Sequence, residues 1–179
     1  MAAERSHATL RPLKASDAPV ITDYHERCWH SAFASLVSAD VMQFISQRRR
    51  EPRIQGWLDR LEPESGFITV VAVDDSDTAI GHVMVADNEI VHLFIDPDHH
   101  GRGLGRQLLA QGEELLAAAG HTEIELHTIV GNTPAIGLYE ACRWVVTTET
   151  ITEELPNGSS YVEHVLRKTL GPVVSEDQG

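Results

Sequence analysis

A glycine run, His100-Gly101-Arg102-Gly103-Leu104-Gly105-Arg106, constrains this chain more than any other segment because of what flanks it. Before it lies the apolar stretch Glu89 to Ile95, closed by Asp96-Pro97. After it, Leu104, Leu108, Leu115 and Ala119 recur at helical spacing, with Leu109, Gly112 and Leu116 beside them and Gly120 as a natural stop. The order strand, glycine loop, helix builds a phosphate cradle. Glycines let the backbone approach a ligand closely, and the first helical turn presents unpaired N–H groups with partial positive charge. Arg102 and Arg106 add full charge at the same place.

That cradle sits in an acidic chain. There are 14 Lys and Arg against 27 Asp and Glu, a formal net charge of -13, which argues against a nucleic-acid backbone as partner. An acidic body can also favour a cationic substrate such as an amine, although solubility alone accounts for it. At 179 residues, one domain with one core is expected over residues 1–170, with a frayed, disordered acidic tail over 171–179. No apolar run approaches the roughly 18 residues that cross a bilayer, and no apolar stretch follows a basic start, so neither a membrane nor export is expected. Cys28 and Cys142, the only cysteines, form no C-x-x-C pattern; the expected setting is a reducing cytoplasm.

Along the chain, Thr9 to Leu13 predicts a strand, and Ser16 or Asp17 can cap a helix over about 19–36 that carries Trp29, His30 and Phe33 near its end. A second helical stretch starts near Asp40, is interrupted at Pro52 and resumes through Trp57, Leu58 and Leu61, with Arg48-Arg49-Arg50 read as a solvated face. From Phe67 the pattern turns to strands: Phe67 to Val73, Thr78 to Ala86 and Glu89 to Ile95, joined by polar turns into an antiparallel meander. Ile124, Leu126, Thr128 and Val130 alternate onto one face of a further strand, and Asn132 can cap a helix with Pro134 in its first turn. Trp144 to Ile151 and Tyr161 to Leu170 complete the strands around a Pro156-Asn157-Gly158 turn.

Two nucleotide readings of the glycine run fail on spacing. A G-x-G-x-x-G fingerprint needs glycine where Arg106 or Leu108 stands, and a P-loop needs Gly-Lys followed by Ser or Thr. The segment instead resembles the GNAT superfamily of N-acetyltransferases, whose signature Q/R-x-x-G-x-G/A follows a strand ended by an Asp-Pro-like turn. Here it reads His100 to Gly105, with both required glycines and with His100 in the slot for Gln or Arg. Asn132, Ala135, Ile136, Leu138, Tyr139 and Glu140 fall at the spacing of the same family's N-x-x-A-(I)-x-L-Y-E segment. The family usually ends that segment with Gly-Phe. Arg143-Trp144 stands there, so either a non-glycine residue occupies a left-handed turn at about 1–2 kcal/mol or the helix ends differently.

The resemblance implies an α/β (α+β) fold, a mixed, mostly antiparallel central sheet of about seven strands with helices on both faces. It implies acetyl-CoA as cosubstrate and a primary amine, on a small molecule or a peptide, as acceptor. The reaction is then direct attack in a ternary complex, and a homodimer is left open. It places the cosubstrate on Leu93, Phe94 and Ile95, on the loop from His100 to Arg106 and on Asn132 and Tyr139. A neighbouring strand splays away to leave a slot, and a backbone N–H of the strand serves as oxyanion donor.

The chemistry needs an acceptor nitrogen stripped of its proton and a proton for the departing thiolate. Tyr139 matches the family's acid, a phenol being a suitable donor at neutral pH. Glu89 falls where several members carry a base; His92 is the alternative, an imidazole titrating near neutrality. Strict alternation puts those two on opposite faces. Two rivals stand beside this reading. One is a sensor or partner-binding module that keeps the acyl-CoA cradle without catalysis. The other is a metal site on Asp96, Asp98, His99 and His100, which lacks helical i, i+4 ligand spacing, so no metal is expected.

Overall fold

The computed structural model describes residues 8–171; of the tail expected over 171–179, residues 172–179 lie outside them. Seven strands form one sheet in the order β1-β2-β3-β4-β5-β7-β6. β1 (Thr9–Pro12), β2 (Ile68–Val73), β3 (Ala79–Ala86) and β4 (Glu89–Ile95) run antiparallel as a meander. β5 (Glu123–Ile129) joins β4 in parallel, and β7 (Ser160–Thr169) inserts between β5 and β6 (Val145–Glu154), antiparallel to both. The parallel pair is the one that needs a crossover, supplied by α4 (Leu104–Ala118).

Helices cover both faces. On one, Leu104, Leu108, Leu109 and Leu116 of α4 pack on Val83, Val85, Ile90, Ile124, Leu126 and Leu166, with Tyr139 of α5 (Thr133–Ala141) and Trp144 beside them. On the other, Ile21 and Tyr24 of α1 (Ala18–Cys28) and Trp57 of α3 (Arg50–Asp59) pack on Val71, Val73 and Met84. Burying a side chain such as Leu108 or Ile21 contributes about 1.5–3 kcal/mol, which is why β2 and β3 are apolar on both faces. No helix among the described residues is long and apolar enough to cross a membrane.

Three local expectations are corrected. The first helix does not run to Leu36: after Cys28 it widens into a π-helical turn over Trp29–Phe33. The wider turn brings the Trp29 and Phe33 rings to 4.9 Å, edge to face, and both join the core around Val41 and Ile45 of α2 (Ala39–Gln47) and Ile129. Next, Pro52 does not interrupt a helix. Arg48 and Arg49 are extended and separate α2 from α3, and Pro52 falls in the first turn of α3, where its missing N–H has no partner to lose. Val130 leaves the buried face of its strand and is 39 % exposed, because β5 ends at Ile129.

Candidate active site

β4 positions the site through two departures from regular pairing. Its parallel register with β5 holds only at Glu89 with Glu125 and Ile90 with Leu126, after which the two strands part. On the other edge the pairing with β3 slips between Val85, opposite Ile90, and Met84, opposite His92, leaving Val91 as the extra residue of a β-bulge. The bulge corrects the alternation argument. Ile90 and Leu93 face α4, whereas Val91, Phe94 and the His92 ring lie among the residues under α1 and α3, so Glu89 and His92 share a face.

The gap between β4 and β5 opens into a cavity of about 1500 Å³. Its walls are Glu89 to Ile95, Leu126 to Ile129, the glycine loop, the start of α5 and the π-helical turn. Of the residues singled out from sequence, Glu89, His92, Leu93, Phe94, Ile95, His100, Gly101, Gly103, Leu104, Gly105, Arg106, Asn132 and Tyr139 all line it; Arg102 is exposed outside the lining.

The loop has the shape its glycines require. Gly101 and Gly103 have φ of 76° and 83°, and a Cβ at either would meet nothing within 4 Å, so the space beside the backbone is open. Gln107 N–H is the first to reach back, to Gly103 O at 3.2 Å, which leaves the N–H groups of Leu104, Gly105 and Arg106 without helical partners. His100 folds onto the end of β4, its Nε2 lying 3.0 Å from Ile95 O, and so ties the loop to the strand. Asp96 is engaged by Arg27 and accepts from Asp98 N–H at 3.3 Å.

Tyr139 is nearly buried, and burial pushes its phenol well above the usual range. It remains a protonated donor at neutral pH. Asn132 does not cap α5 with its side chain. Its amide donates instead to Thr128 Oγ1 at 3.0 Å, tying the helix start to β5.

At the other end of the cavity Glu89 lies 3.5 Å from His127 Nδ1. Burial raises the Glu89 carboxyl, an effect His127 opposes and Glu125 reinforces. Burial also pushes Glu163, another wall residue, up to about 6. His92 goes the other way: burial, then Arg60 and Arg48, push it down to about 3, in contact with the rings of His25, Trp57 and Phe94.

Sequence reasoning missed the contribution of β6, β7, the α2–α3 link and the C-terminal end of α3. Glu153, Tyr161, Glu163, Arg48 and Arg60 all line the cavity. Tyr161 and Glu163 are two apart on β7, a spacing that marks one face only once the strand's place beside β5 is known.

A seven-stranded mixed sheet with a splayed β4–β5 pair, a glycine loop opening α4 and a tyrosine of α5 in one cavity defines an acetyltransferase type of scaffold. The profile of the Acetyltransferase (GNAT) family matches residues 24–143, and the chain belongs to that family. It is 34% identical over 110 residues to the mycothiol acetyltransferase of Clavibacter sepedonicus, 58% of this chain and 36% of that protein. It is 33% identical over 85 residues to the peptidyl-lysine N-acetyltransferase YjaB of Salmonella typhimurium, 48% of this chain and 55% of that protein. The matched region thus spans about a third of the first relative and about half of the second.

Among solved structures, a GCN5-related N-acetyltransferase from Rhodopseudomonas palustris superposes with a TM-score of 0.75 at 21% identity, covering 91% of this chain and 96% of that one. YncA of Salmonella typhimurium, solved with acetyl-CoA, gives 0.69 at 17%, covering 97% and 100%.

Proposed function

We propose that this chain transfers an acetyl group from acetyl-CoA to a primary amine by direct attack in a ternary complex. The observation that carries the reading is the convergence, in one cavity, of the open β4 edge, the glycine cradle and Tyr139. Acetyl-CoA supplies the acetyl thioester. The N–H groups from Gly101 to Arg106, with the Arg106 guanidinium, hold a pyrophosphate, and the edge of β4 that faces β5 beyond Ile90, where no strand pairs with it, takes an extended arm and offers an N–H to a developing oxyanion.

Glu89 removes the proton from the acceptor ammonium. Its raised pKa brings it closer to that task than an ordinary carboxylate, whereas His92, near 3, is a poor proton acceptor. Tyr139 delivers a proton to the departing thiolate. The single-domain organisation over residues 1–170 and a reducing cytoplasm, in keeping with the free thiols of Cys28 and Cys142, belong to the same reading.

Calorimetry with acetyl-CoA and thiol release across an amine panel test it. Binding and turnover are expected, with Tyr139→Phe and Glu89→Gln each lowering kcat by about 10²-fold or more while acetyl-CoA affinity holds. A Tyr139→Phe rate equal to that of the parent removes Tyr139 as acid. Acetyl-CoA binding without turnover on any amine supports the sensor instead.

A further inference from the structure

The cavity has an unexpected charge. Among the described residues five arginines line the cavity, out of 14 Lys and Arg in the chain, against three glutamates out of 27 acidic residues. Arg106 belongs to the glycine loop; Arg48, Arg49, Arg53 and Arg60 lie on the α2–α3 side. Arg53 is neutralised by Glu26 at 2.6 Å. Arg48 and Arg60 have no carboxylate partner among the described residues, in a chain where acidic groups outnumber basic ones about twofold.

Arg60 is held in place rather than waving in solvent. Its Nη1 donates to Gly56 O at 2.7 Å, and its guanidinium lies 5.2 Å over the Trp57 ring and 5.4 Å over Phe67. Its Nε is sealed from water with no acceptor. Nε2 of His25 and Nδ1 of His92, in rings that line the same wall, are sealed and unpartnered too. Arg48 is exposed at the rim of the cavity, and its partial desolvation there, with repulsion from Arg53 and Arg60 and an opposing pull from Tyr161, lowers its pKa. The same cavity is lined by Glu89, Glu153 and Glu163, and Tyr161 links the two charges: Glu153 is its cross-strand partner, and Glu163 and Arg48 both bear on its phenol.

We propose that the acceptor carries an anionic group, a carboxylate or a phosphate, in addition to its amine, and that Arg48 and Arg60 bind that group while the amine faces Glu89. The inference rests on the transfer reading above and names its substrate class: small acidic amines, with amino acids and phosphorylated amino alcohols as the two sources of the anion, and not polyamines.

Thiol release is to be measured with L-alanine and L-glutamate against their carboxamides, O-phosphoethanolamine against ethanolamine, and spermidine. Loss of the anion is expected to lower kcat/KM by 10-fold or more. Arg48→Gln is expected to raise the acceptor KM by 10-fold or more with the acetyl-CoA KM unchanged, and to leave the neutral amides unaffected. Preference for the amino acids identifies a carboxylate; preference for O-phosphoethanolamine identifies a phosphate. Arg60→Lys, which keeps a charge near Trp57, is expected to lose less than Arg60→Gln, separating binding from folding. Equal use of acids and amides, or preference for spermidine, overturns the proposal.

Calorimetry with CoA and N-acetyl-L-glutamate separates the two readings. Arg48-dependent binding of that product without turnover of any amine overturns the transfer and upholds the anion site. Absence of such binding, with efficient turnover of neutral amines, does the reverse.

Discussion

Arg143 shows how far a single residue can be understood from its neighbours in sequence. The segment that ends at Glu140 calls for a left-handed residue to close its helix, and Arg143 has φ of 68°. The closure is made by Trp144 N–H to Tyr139 O at 3.0 Å and Arg143 N–H to Glu140 O at 2.9 Å, so the left-handed turn forms without glycine at the expense of strain. Trp144 is then locked in the core, its Nε1 donating to Glu113 at 2.8 Å. Arg143→Gly is expected to stabilise the protein by about 1 kcal/mol, the relieved strain of about 1–2 kcal/mol less the greater freedom of glycine in the unfolded chain. Urea unfolding checks the sign, and a fall in midpoint contradicts it. Other residues gave less away. That Glu89 and His92 share a face depends on one extra residue, Val91, and nothing in the apolar run from Ile90 to Ile95 marks it as a bulge.

Among elements, α4 is the one whose placement fixes the site, because its N-terminus lines the cavity and its body packs on the sheet. Gly112 permits the approach. A Cβ there would lie 2.8 Å from Val83 Cγ2 and 3.2 Å from Ile90 Cδ1, both in the core. Gly112→Ala gains about 1 kcal/mol of helix propensity but overpacks the core at about 1–3 kcal/mol, for a net loss near 1 kcal/mol. Thermal unfolding is expected to show a lower Tm, partly restored when Val83→Ala is added; an unchanged Tm in the single variant contradicts the contact.

The periodicity of α4 and the alternation of β5 were legible because each buries one face. The break between α2 and α3 was not. Two arginines, rather than Pro52, separate the helices; they are exposed, as a solvated face requires, and what the sequence did not reveal is that the surface they occupy is the rim of the cavity.

Acid sensitivity belongs to the whole molecule. His25, His82 and His92, from three different elements, lie with ring centroids 5.3 to 6.0 Å apart, and His82 shares a buried hydrogen bond of 2.6 Å with Tyr24. Burial lowers all three pKa values, His92 to about 3. In the folded state they stay neutral, while in the unfolded state they take up protons below about 6.5. Stability is therefore present above that value and is lost as pH falls through it, by up to about 1.4 kcal/mol per pH unit for each histidine. Glu89 and Glu163, raised by burial, act in the opposite sense, but three histidines outweigh two carboxyls. Urea midpoints are expected to drop between pH 6.5 and pH 5; a flat profile contradicts the buried neutral cluster.

By itself the sequence determined most of the elements, the glycine loop before α4 and the family, because glycine spacing, helical and strand periodicity and the Asn132 to Tyr139 segment act over short range. Only the tertiary structure decided what else lines the cavity. The α2–α3 link, β4 and the β6–β7 pair meet there from distant parts of the chain. Their charges acquire meaning only where the fold gathers arginines and glutamates from these distant segments into the lining of one cavity.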